Sequence, residues 1–579
     1  MKVTVKGHGA VTLTQQHFVA AGGQASVYVK DGTAYKVYTD PKDAIPDAKF
    51  SALAAIQDPA VIKPEALLLD AKDAPVGYTM RAVANNYSLC QFFTRSFRER
   101  TQVTHDHIVT LAERLQGHIE NVHRAGCLIV DLNELNILVP QAVDETFLID
   151  VDSYQTSGFP ATVIMPTVRD HSVRAKDFSP LSDWFSYAVL TFQLFVGAHP
   201  YKGAHDASAA VPKDDQLAHR MSKHISAFRA DVRLPKCCYP FDVIPQAFRD
   251  WLRAVLDDGK RVHPPSPRGL PAVVISRQAA PLIVSGGKLV IAELHQFDGW
   301  TVLAYEESAG SRLAMLHDAK TSCQRFEHDG RIAEQYQTLP GTTLIGFTPK
   351  LNQPIALNLR DGRVTFFDLS RRTRESLEFH ADELAKSGGR FYIRSGGQVL
   401  EVEFSELHTR TVVTASHVVA SVMERATKLQ EGCAIQNMLG AAFVSIFPRS
   451  KAGYQVRVPE LDAYKLVDAK FDGGVLMVVG AKGGKYDRLV FRFDDEFASY
   501  DLRTVTDVTP SGLNFVALAT GICVSITEDE RVEAFSARKG VIGSKVVEDA
   551  AIGNDMRLLK VAGKAGFERA GKIYSMGLK

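Results

Sequence analysis

The sequence predicts a multidomain protein in which an α+β region is followed by an all-β region. In the first half, short apolar strands alternate with segments of helical periodicity, of which the longest runs from about Asp106 to Arg124. In the second half, only short β-rich runs recur, separated by Gly, Asn and Asp turns. A chain of 579 residues is also too long for a single domain. We therefore expect an α+β domain at 1–268, a linker at 269–284 and a β domain at 285–579.

Composition narrows the class of protein. The chain is 45% hydrophobic and 23% charged with a formal net charge of +1, which is typical of a soluble globular protein and favours neither nucleic acid nor membrane as a partner. The seven cysteines form no CxxC pair, so neither a zinc site nor a disulfide framework is indicated. The N-terminus lacks the apolar core of a signal peptide, and the apolar run Phe185–Ala198 is too short to span a bilayer. We expect a cytoplasmic protein.

A small-residue turn near the N-terminus is a candidate phosphate cradle. Residues 1–38 have the pattern of strands joined by glycine turns, and Gly22 and Gly23 lie just before a strand that carries Ala25 and Val27. Such a turn lets backbone N–H groups approach phosphate oxygens, although a plain hairpin turn explains the same residues. Lys36 lies in the middle of the next apolar strand, where it is either a phosphate-binding lysine or the solvent-facing member of that strand.

Three polar residues between 128 and 154 carry the main functional signal. Asp131 and Asn136 lie five residues apart, directly before the apolar strand Ile137–Val139, and a second apolar strand, Thr146–Ile149, runs into Asp150. Two short strands joined by a turn form a hairpin, which brings all three side chains to one end. One carboxylate can then accept a proton from a nucleophile while the other two side chains hold Mg²⁺ on nucleotide phosphates. Ordinary turn residues are the alternative interpretation.

Taken in order, these features resemble the protein kinase fold. Asp131 to Asn136 resembles the catalytic loop, and Asp183, in Ser182-Asp-Trp-Phe-Ser-Tyr-Ala-Val-Leu, resembles the helix aspartate that braces that loop. The run Phe195-Val-Gly-Ala-His-Pro-Tyr201 is similar to the end of the same helix, and Asp257-Asp-Gly-Lys-Arg261 resembles the arginine-bearing turn near the end of the domain. The chain is most similar to divergent bacterial members, of the eukaryotic-like Ser/Thr type, that occur in tellurite- and stress-linked gene clusters.

This resemblance implies a bilobal domain, with an N-lobe at about 1–83 and a C-lobe at about 84–268. It implies an ATP- and Mg²⁺-dependent protein kinase acting on Ser or Thr, in which Lys36 orients the phosphates and Asp131 is the base. Asn136 and Asp150 would hold Mg²⁺, with Asp152 as a second or alternative ligand. A von Willebrand A-domain protein and a PP2C-type phosphatase are the partners that the resemblance suggests.

Several positions depart from the kinase pattern. Ile129 and Val130 replace the usual His-Arg, and Asn133 replaces the catalytic-loop lysine. Alanines replace two of the usual glycines, and the helix glutamate that normally pairs with the strand lysine is not evident, with Asp47 the nearest acid. These departures leave open a pseudokinase that binds nucleotide and partners without phosphoryl transfer, and a small-molecule kinase of the aminoglycoside type.

The second half predicts a β-propeller. Its strand-forming segments recur at intervals of about 35 to 50 residues. An interval of that length holds several strands, as one propeller blade does, and predicts about six or seven blades. A pair of β-sandwiches is the alternative. A propeller presents a broad rigid face of loops, so we expect it to recruit the substrate or partner of the kinase. The proline-rich segment 263–271 is expected to be a linker with few contacts across it.

Overall fold

The computed structural model of the chain describes residues 1–22, 24–174, 177–235, 238–268, 288–318, 320–447, 453–510, 513–541, 543–553 and 555–578. The whole of the predicted linker 269–284 and Gly23 of the predicted glycine turn lie outside the described residues.

A seven-stranded antiparallel sheet opens the chain. Its strands are β1 (Lys2–Val5), β2 (Gly9–Thr12), β3 (Phe18–Ala21), β4 (Ala25–Lys30), β5 (Thr33–Tyr38), β6 (Ala66–Leu69) and β7 (Pro75–Arg81), in the order β2-β1-β6-β7-β5-β4-β3. Asp31 and Gly32 both have positive φ, 48° and 77°, as the tight turn between β4 and β5 requires. The predicted Asp-Gly hairpin is therefore confirmed.

One helix lies between β5 and β6, and after β7 helices dominate around one small sheet. The helices are α1 (Asp47–Ala54), α2 (Arg95–Arg100), α3 (His105–Arg124), α4 (Pro180–Val196), α5 (Gln216–Ser222) and α6 (Gln246–Leu256). The sheet consists of β8 (Asn86–Ser88), β9 (Ile137–Pro140) and β10 (Phe147–Leu148), in the order β10-β9-β8. Helix α3 begins after Thr104, whose hydroxyl accepts from the His107 amide, and buries the predicted apolar stripe. Helix α4 ends at Gly197, whose φ of 84° gives the left-handed C-cap.

From residue 289 the described chain forms seven antiparallel sheets of four strands each, with one 3-10 turn at Pro459–Leu461. The first sheet is completed from both ends of this region: β11 (Leu289–Gln296), β36 (Arg557–Val561), β37 (Lys564–Arg569) and β38 (Lys572–Leu578). The next three sheets are β12 (Thr301–Ser308), β13 (Ser311–Asp318), β14 (Cys323–His328) and β15 (Arg331–Gln337); β16 (Thr342–Phe347), β17 (Pro354–Arg360), β18 (Arg363–Asp368) and β19 (Thr373–His380); and β20 (Glu383–Ser387), β21 (Arg390–Ser395), β22 (Gln398–Glu406) and β23 (Thr411–Ser421). The last three are β24 (Thr427–Gln430), β25 (Cys433–Met438), β26 (Ala441–Ile446) and β27 (Tyr454–Arg457); β28 (Lys465–Asp472), β29 (Val475–Lys482), β30 (Lys485–Phe493) and β31 (Tyr500–Val505); and β32 (Phe515–Ala517), β33 (Ile522–Ile526), β34 (Arg531–Ser536) and β35 (Ser544–Glu548).

These sheets follow one another in a closed cyclic order. Strand β12 contacts β16, β16 contacts β20, β20 contacts β24 and β24 contacts β28. The Ala517 amide of β32 donates to Asp472 of β28 at 2.8 Å, and β32 contacts β36, which contacts β12 again. The predicted order, a mixed helix and strand region followed by an all-β region, is confirmed.

The two regions pack directly on each other. One hydrophobic cluster joins Leu115 of α3 and Leu190 of α4 to Val479 of β29 and Phe515 of β32. Strand β29 is buried along nearly its whole length, so its apolar side chains need cover on both faces. The expectation of few contacts between the two halves is therefore wrong, because sequence patterning marks the proline-rich boundary but not the apolar surface that the halves share. Among the described helices, none combines the length and the apolar character that a membrane crossing requires.

Candidate functional site

Lys36 lies between two carboxylates that are distant in sequence. Its Nζ donates to Asp150 Oδ1 at 2.5 Å and to the two Asp152 carboxylate oxygens at 2.8 and 2.9 Å. Burial alone would lower the pKa of Lys36, but the charges of Asp152 and Asp150 outweigh it and raise that pKa. Lys36 is therefore a buried, charged lysine of the site, and it is not a solvent-facing strand residue.

Asp152 is the buried counter-ion of Lys36. Besides the lysine, the hydroxyls of Tyr38 and Tyr78 donate to its two oxygens at 2.6 and 2.7 Å. Burial would raise the pKa of Asp152, but Lys36 and the tyrosine hydrogen bonds lower it. Both carboxylate oxygens of Asp152 are therefore engaged by Lys36 and the two tyrosines. Asp47, the sequence candidate for this ion pair, lies instead at the exposed start of α1 and pairs with Lys6 at 3.5 Å.

Asp131 is held in a buried turn beside the β9 strand. Its Oδ1 accepts from the Met165 amide at 2.7 Å, and Asn136 Nδ2 lies 3.5 Å from its Oδ2. Burial, reinforced by the charge of Asp150, raises the pKa of Asp131. Asp131 is therefore a carboxylate with more proton affinity than an exposed aspartate, as a general base requires.

Asp183, in the first turn of α4, holds the backbone that leads into Asp131. Its carboxylate accepts from the Ile129 and Val130 amides, each at 2.9 Å, and lies 2.8 Å from His123 Nε2. Val130 has a φ of 63°, a conformation that a β-branched residue adopts only under constraint. The fully buried Asp183 supplies that constraint through two charge-assisted hydrogen bonds.

Asn136 directly precedes β9 and Asp150 follows β10, so the two residues flank the same end of the hairpin. The Ile149 amide donates to the Asn136 carbonyl at 2.9 Å, which places Asp150 directly beyond it. Asn136 uses its amide nitrogen toward Asp131, so its side-chain oxygen remains an acceptor. Lys36 bonds to Asp150 through Oδ1, and the Asp150 side chain is 40% exposed, so its Oδ2 can accept another ligand. These two hard oxygens fit Mg²⁺, which takes one or two protein ligands plus phosphates and water. No group of three or more His, Cys, Asp or Glu side chains among the described residues is arranged for a metal.

Of the predicted glycine turn, Gly22 is described and makes one backbone hydrogen bond across it. The Gly22 amide donates to the Ala25 carbonyl at 2.8 Å, and a Cβ at Gly22 would meet only that carbonyl oxygen, at 3.9 Å. Ala25 is buried opposite Tyr38, and Val27 lies directly across the β4–β5 ladder from Lys36. The ladder thus makes Val27 a neighbour of Lys36, while Gly22 itself shows no steric need for glycine.

Several residues of the site have only a weak sequence signal. Tyr38 lies two residues after Lys36 on the same strand face, and Tyr78 is the direct cross-strand partner of Lys36. Period-two alternation could have identified Tyr38, but Tyr78 requires the strand pairing. Arg261, part of the predicted arginine-bearing turn, binds Asp170 through two nitrogens at 2.5 and 2.6 Å. Asp170 lies in an irregular segment with no sequence pattern of its own.

The β-rich half touches the loop that contains Asp131. Lys465 Nζ donates to the Leu135 carbonyl at 2.6 Å, and the Tyr486 hydroxyl donates to Glu134 Oε1 at 2.6 Å. Gly484, with a φ of 75°, lies so close to the segment after the hairpin that a Cβ would come within 2.8 Å of Thr167 Oγ1 and 2.9 Å of Met165 Cγ. The segment that holds Asp131 through Met165 is therefore packed against the β-rich half.

In comparisons with known proteins, no protein-family model matches the chain, and no curated protein matches its sequence.

Proposed function

We propose that the chain is an ATP- and Mg²⁺-dependent protein kinase that transfers the γ-phosphoryl group to a Ser or Thr hydroxyl. The observation that carries the proposal is the hydrogen bond of 2.5 Å between Lys36 Nζ, on β5 of the first sheet, and Oδ1 of Asp150, which follows β10 of the second sheet and lies near Asn136 and Asp131. A lysine, a base aspartate and two oxygen ligands are the parts that phosphoryl transfer requires. The seven-stranded sheet and the helical region after it would then be the two lobes of a kinase-like domain.

In this proposal each side chain has one task. The Lys36 ammonium binds phosphate oxygens, and Asn136 and Asp150 hold Mg²⁺, which when bound neutralises charge on the phosphates. Asp131 accepts the proton of the substrate hydroxyl as the new O–P bond forms and the bond between the γ-phosphorus and ADP breaks. Asp183 keeps the Asp131 loop in place, and Asp152 orients Lys36.

The β-rich half would be a seven-bladed propeller that recruits the protein substrate or partner. Seven four-stranded sheets in closed cyclic order support this architecture over two β-sandwiches, and β11 pairing with β38 would close the ring. A von Willebrand A-domain protein and a PP2C-type phosphatase remain the partners that the family resemblance suggests.

A pseudokinase is the second candidate, and one observation favours it. Asp150 has a φ of 62° and gives Oδ1 to Lys36, so the proposed metal ligand and the proposed phosphate ligand are bonded to each other. For nucleotide to bind, either the Lys36–Asp150 hydrogen bond must break, or both side chains must contact the Mg-nucleotide while they remain bonded to each other. A chain that cannot do so would bind partners through its β-rich half without transferring phosphate.

Phosphate transfer from labelled ATP distinguishes the two candidates. The full chain is incubated with Mg²⁺ and a generic protein substrate, beside the Asp131→Asn variant, which keeps the shape of the side chain and removes the base. We expect transfer by the wild-type chain and its loss in the variant, while both bind Mg-ATP. Binding without transfer in the wild type supports the pseudokinase. The absence of both, or equal transfer by the two proteins, contradicts the proposed kinase site.

A further inference from the structure

Two lysines of the β-rich half donate to backbone carbonyls near the β8–β9 pair of the first half, and one of them lies next to the site. Lys465, the first residue of β28, donates to the Leu135 carbonyl at 2.6 Å, one residue before the proposed metal ligand Asn136. Lys428 of β24 donates to the Asn86 carbonyl of β8 at 3.2 Å. Strand β8 pairs with β9, which begins directly after Asn136. Asn86 lies opposite Pro140, at the end of β9 away from Asn136, so Lys428 is farther along the strand and Lys465 is the lysine next to the site.

Lys465 is poorly neutralised where it lies. Desolvation lowers its pKa and the charge of Lys428 lowers it further, against the opposing effects of Cys90, Glu134 and Asp150. At neutral pH the Cys90 thiol supplies no charge, because burial raises its pKa to about 12, and the Glu134 carboxylate is engaged by the Tyr486 hydroxyl at 2.6 Å. Asp150 is shared with Lys36. A partly buried ammonium with one carbonyl acceptor and an incomplete counter-charge favours an added anion.

We propose that Lys465 is a phosphate-binding residue of the nucleotide site, supplied by the β-rich half. It replaces the cation missing at Asn133, where the kinase resemblance implies a lysine. This inference rests on the proposed function, because the anion is the polyphosphate of the nucleotide that Lys36, Asn136 and Asp150 hold. The site is then incomplete without the second half of the chain. This role gives a functional reason for the contact between β28 and the loop that contains Asp131.

The test is a binding titration of the full-length chain with adenosine, AMP, Mg-ADP and Mg-ATP. Lys465→Met removes the charge and the donor, and Lys465→Gln removes the charge but keeps a donor for the Leu135 carbonyl. A lost charge-assisted contact weakens binding roughly 10- to 100-fold. We expect that loss for Mg-ADP and Mg-ATP in both variants, with adenosine affinity unchanged. Lys485→Met is the matched control, since Lys485 also bridges the halves, through Asp214 at 3.4 Å, but on a different loop.

The outcomes separate this inference from the function on which it rests. If the wild-type chain binds Mg-ATP and Lys465→Gln binds it equally well, Lys465 only positions the loop and the inference is overturned. An equal loss for adenosine and for Mg-ATP overturns it too, because a structural defect would not depend on phosphate. If the wild-type chain binds none of the four ligands, the nucleotide site itself is wrong, and both proposals are abandoned.

Discussion

The Asp152 carboxylate offers the sharpest test of how the site is built. Asp152→Ala removes the acceptor of Lys36, Tyr38 and Tyr78 at once, and all three side chains are buried. Each buried hydroxyl left without an acceptor costs about 1–3 kcal/mol. Breaking a buried ion pair from one side costs about 3–5 kcal/mol, but Asp150 remains 2.5 Å from Lys36 and reduces this loss. We therefore expect the free energy of unfolding to fall by about 4 kcal/mol.

Denaturant unfolding at several pH values measures this loss. The folded-state pKa of Asp152 is lowered, so its contribution is present above its unfolded pKa of about 3.9 and is lost as pH falls through the folded value. The difference between wild type and Asp152→Ala should therefore be full at pH 7 and shrink below about pH 4. Asp47→Ala, which removes an exposed carboxylate paired only with Lys6, is the control and should change nothing. A loss below about 1 kcal/mol at pH 7, or a loss independent of pH, would refute the assignment of Asp152 as the counter-ion.

Three further predictions concern the base, its loop and the contact between the halves. Asp131→Asn should reduce phosphate transfer about 10²- to 10⁴-fold with Mg-ATP binding intact. Because burial and Asp150 raise the pKa of Asp131, transfer by the wild-type chain should decline as pH falls through a value above the usual aspartate pKa of about 3.9. A decline centred at or below that value contradicts the prediction. Asp183→Ala leaves two buried backbone amides without an acceptor, so the free energy of unfolding should fall by about 3 kcal/mol and hydrogen exchange at the Val130 amide should become faster. Unchanged exchange at Val130 would show that Asp183 does not hold the loop. Asp468→Ala removes the carboxylate that lies 3.0 Å from Arg100 across the two halves, so the free energy of unfolding measured with denaturant should fall by about 3 kcal/mol. A change near zero would mean that this ion pair does not hold the halves together.

Local sequence patterns were sufficient for much of the fold. The Asp-Gly turn at residues 31 and 32, the helix from His105 to Arg124 and the strand that ends before Asp150 all depend on neighbouring residues, and each has the structure that its pattern predicts. The proximity of Asp131, Asn136 and Asp150 also follows locally, because all three flank one end of the β9–β10 hairpin. Strand recurrence after residue 285 likewise indicated repeated sheets.

Only the tertiary structure decided which groups meet across long stretches of chain. The Lys36 counter-ion is Asp152, 116 residues away, while the sequence offered only the nearer Asp47. Lys465 reaches the Leu135 carbonyl over 330 residues. Periodicity records which face of a strand or helix is apolar, but it does not record which other face covers it. Pairings of buried charges and the docking of the β-rich half depend on that choice, because a buried charge is stable only beside the particular partner that the packed fold brings to it.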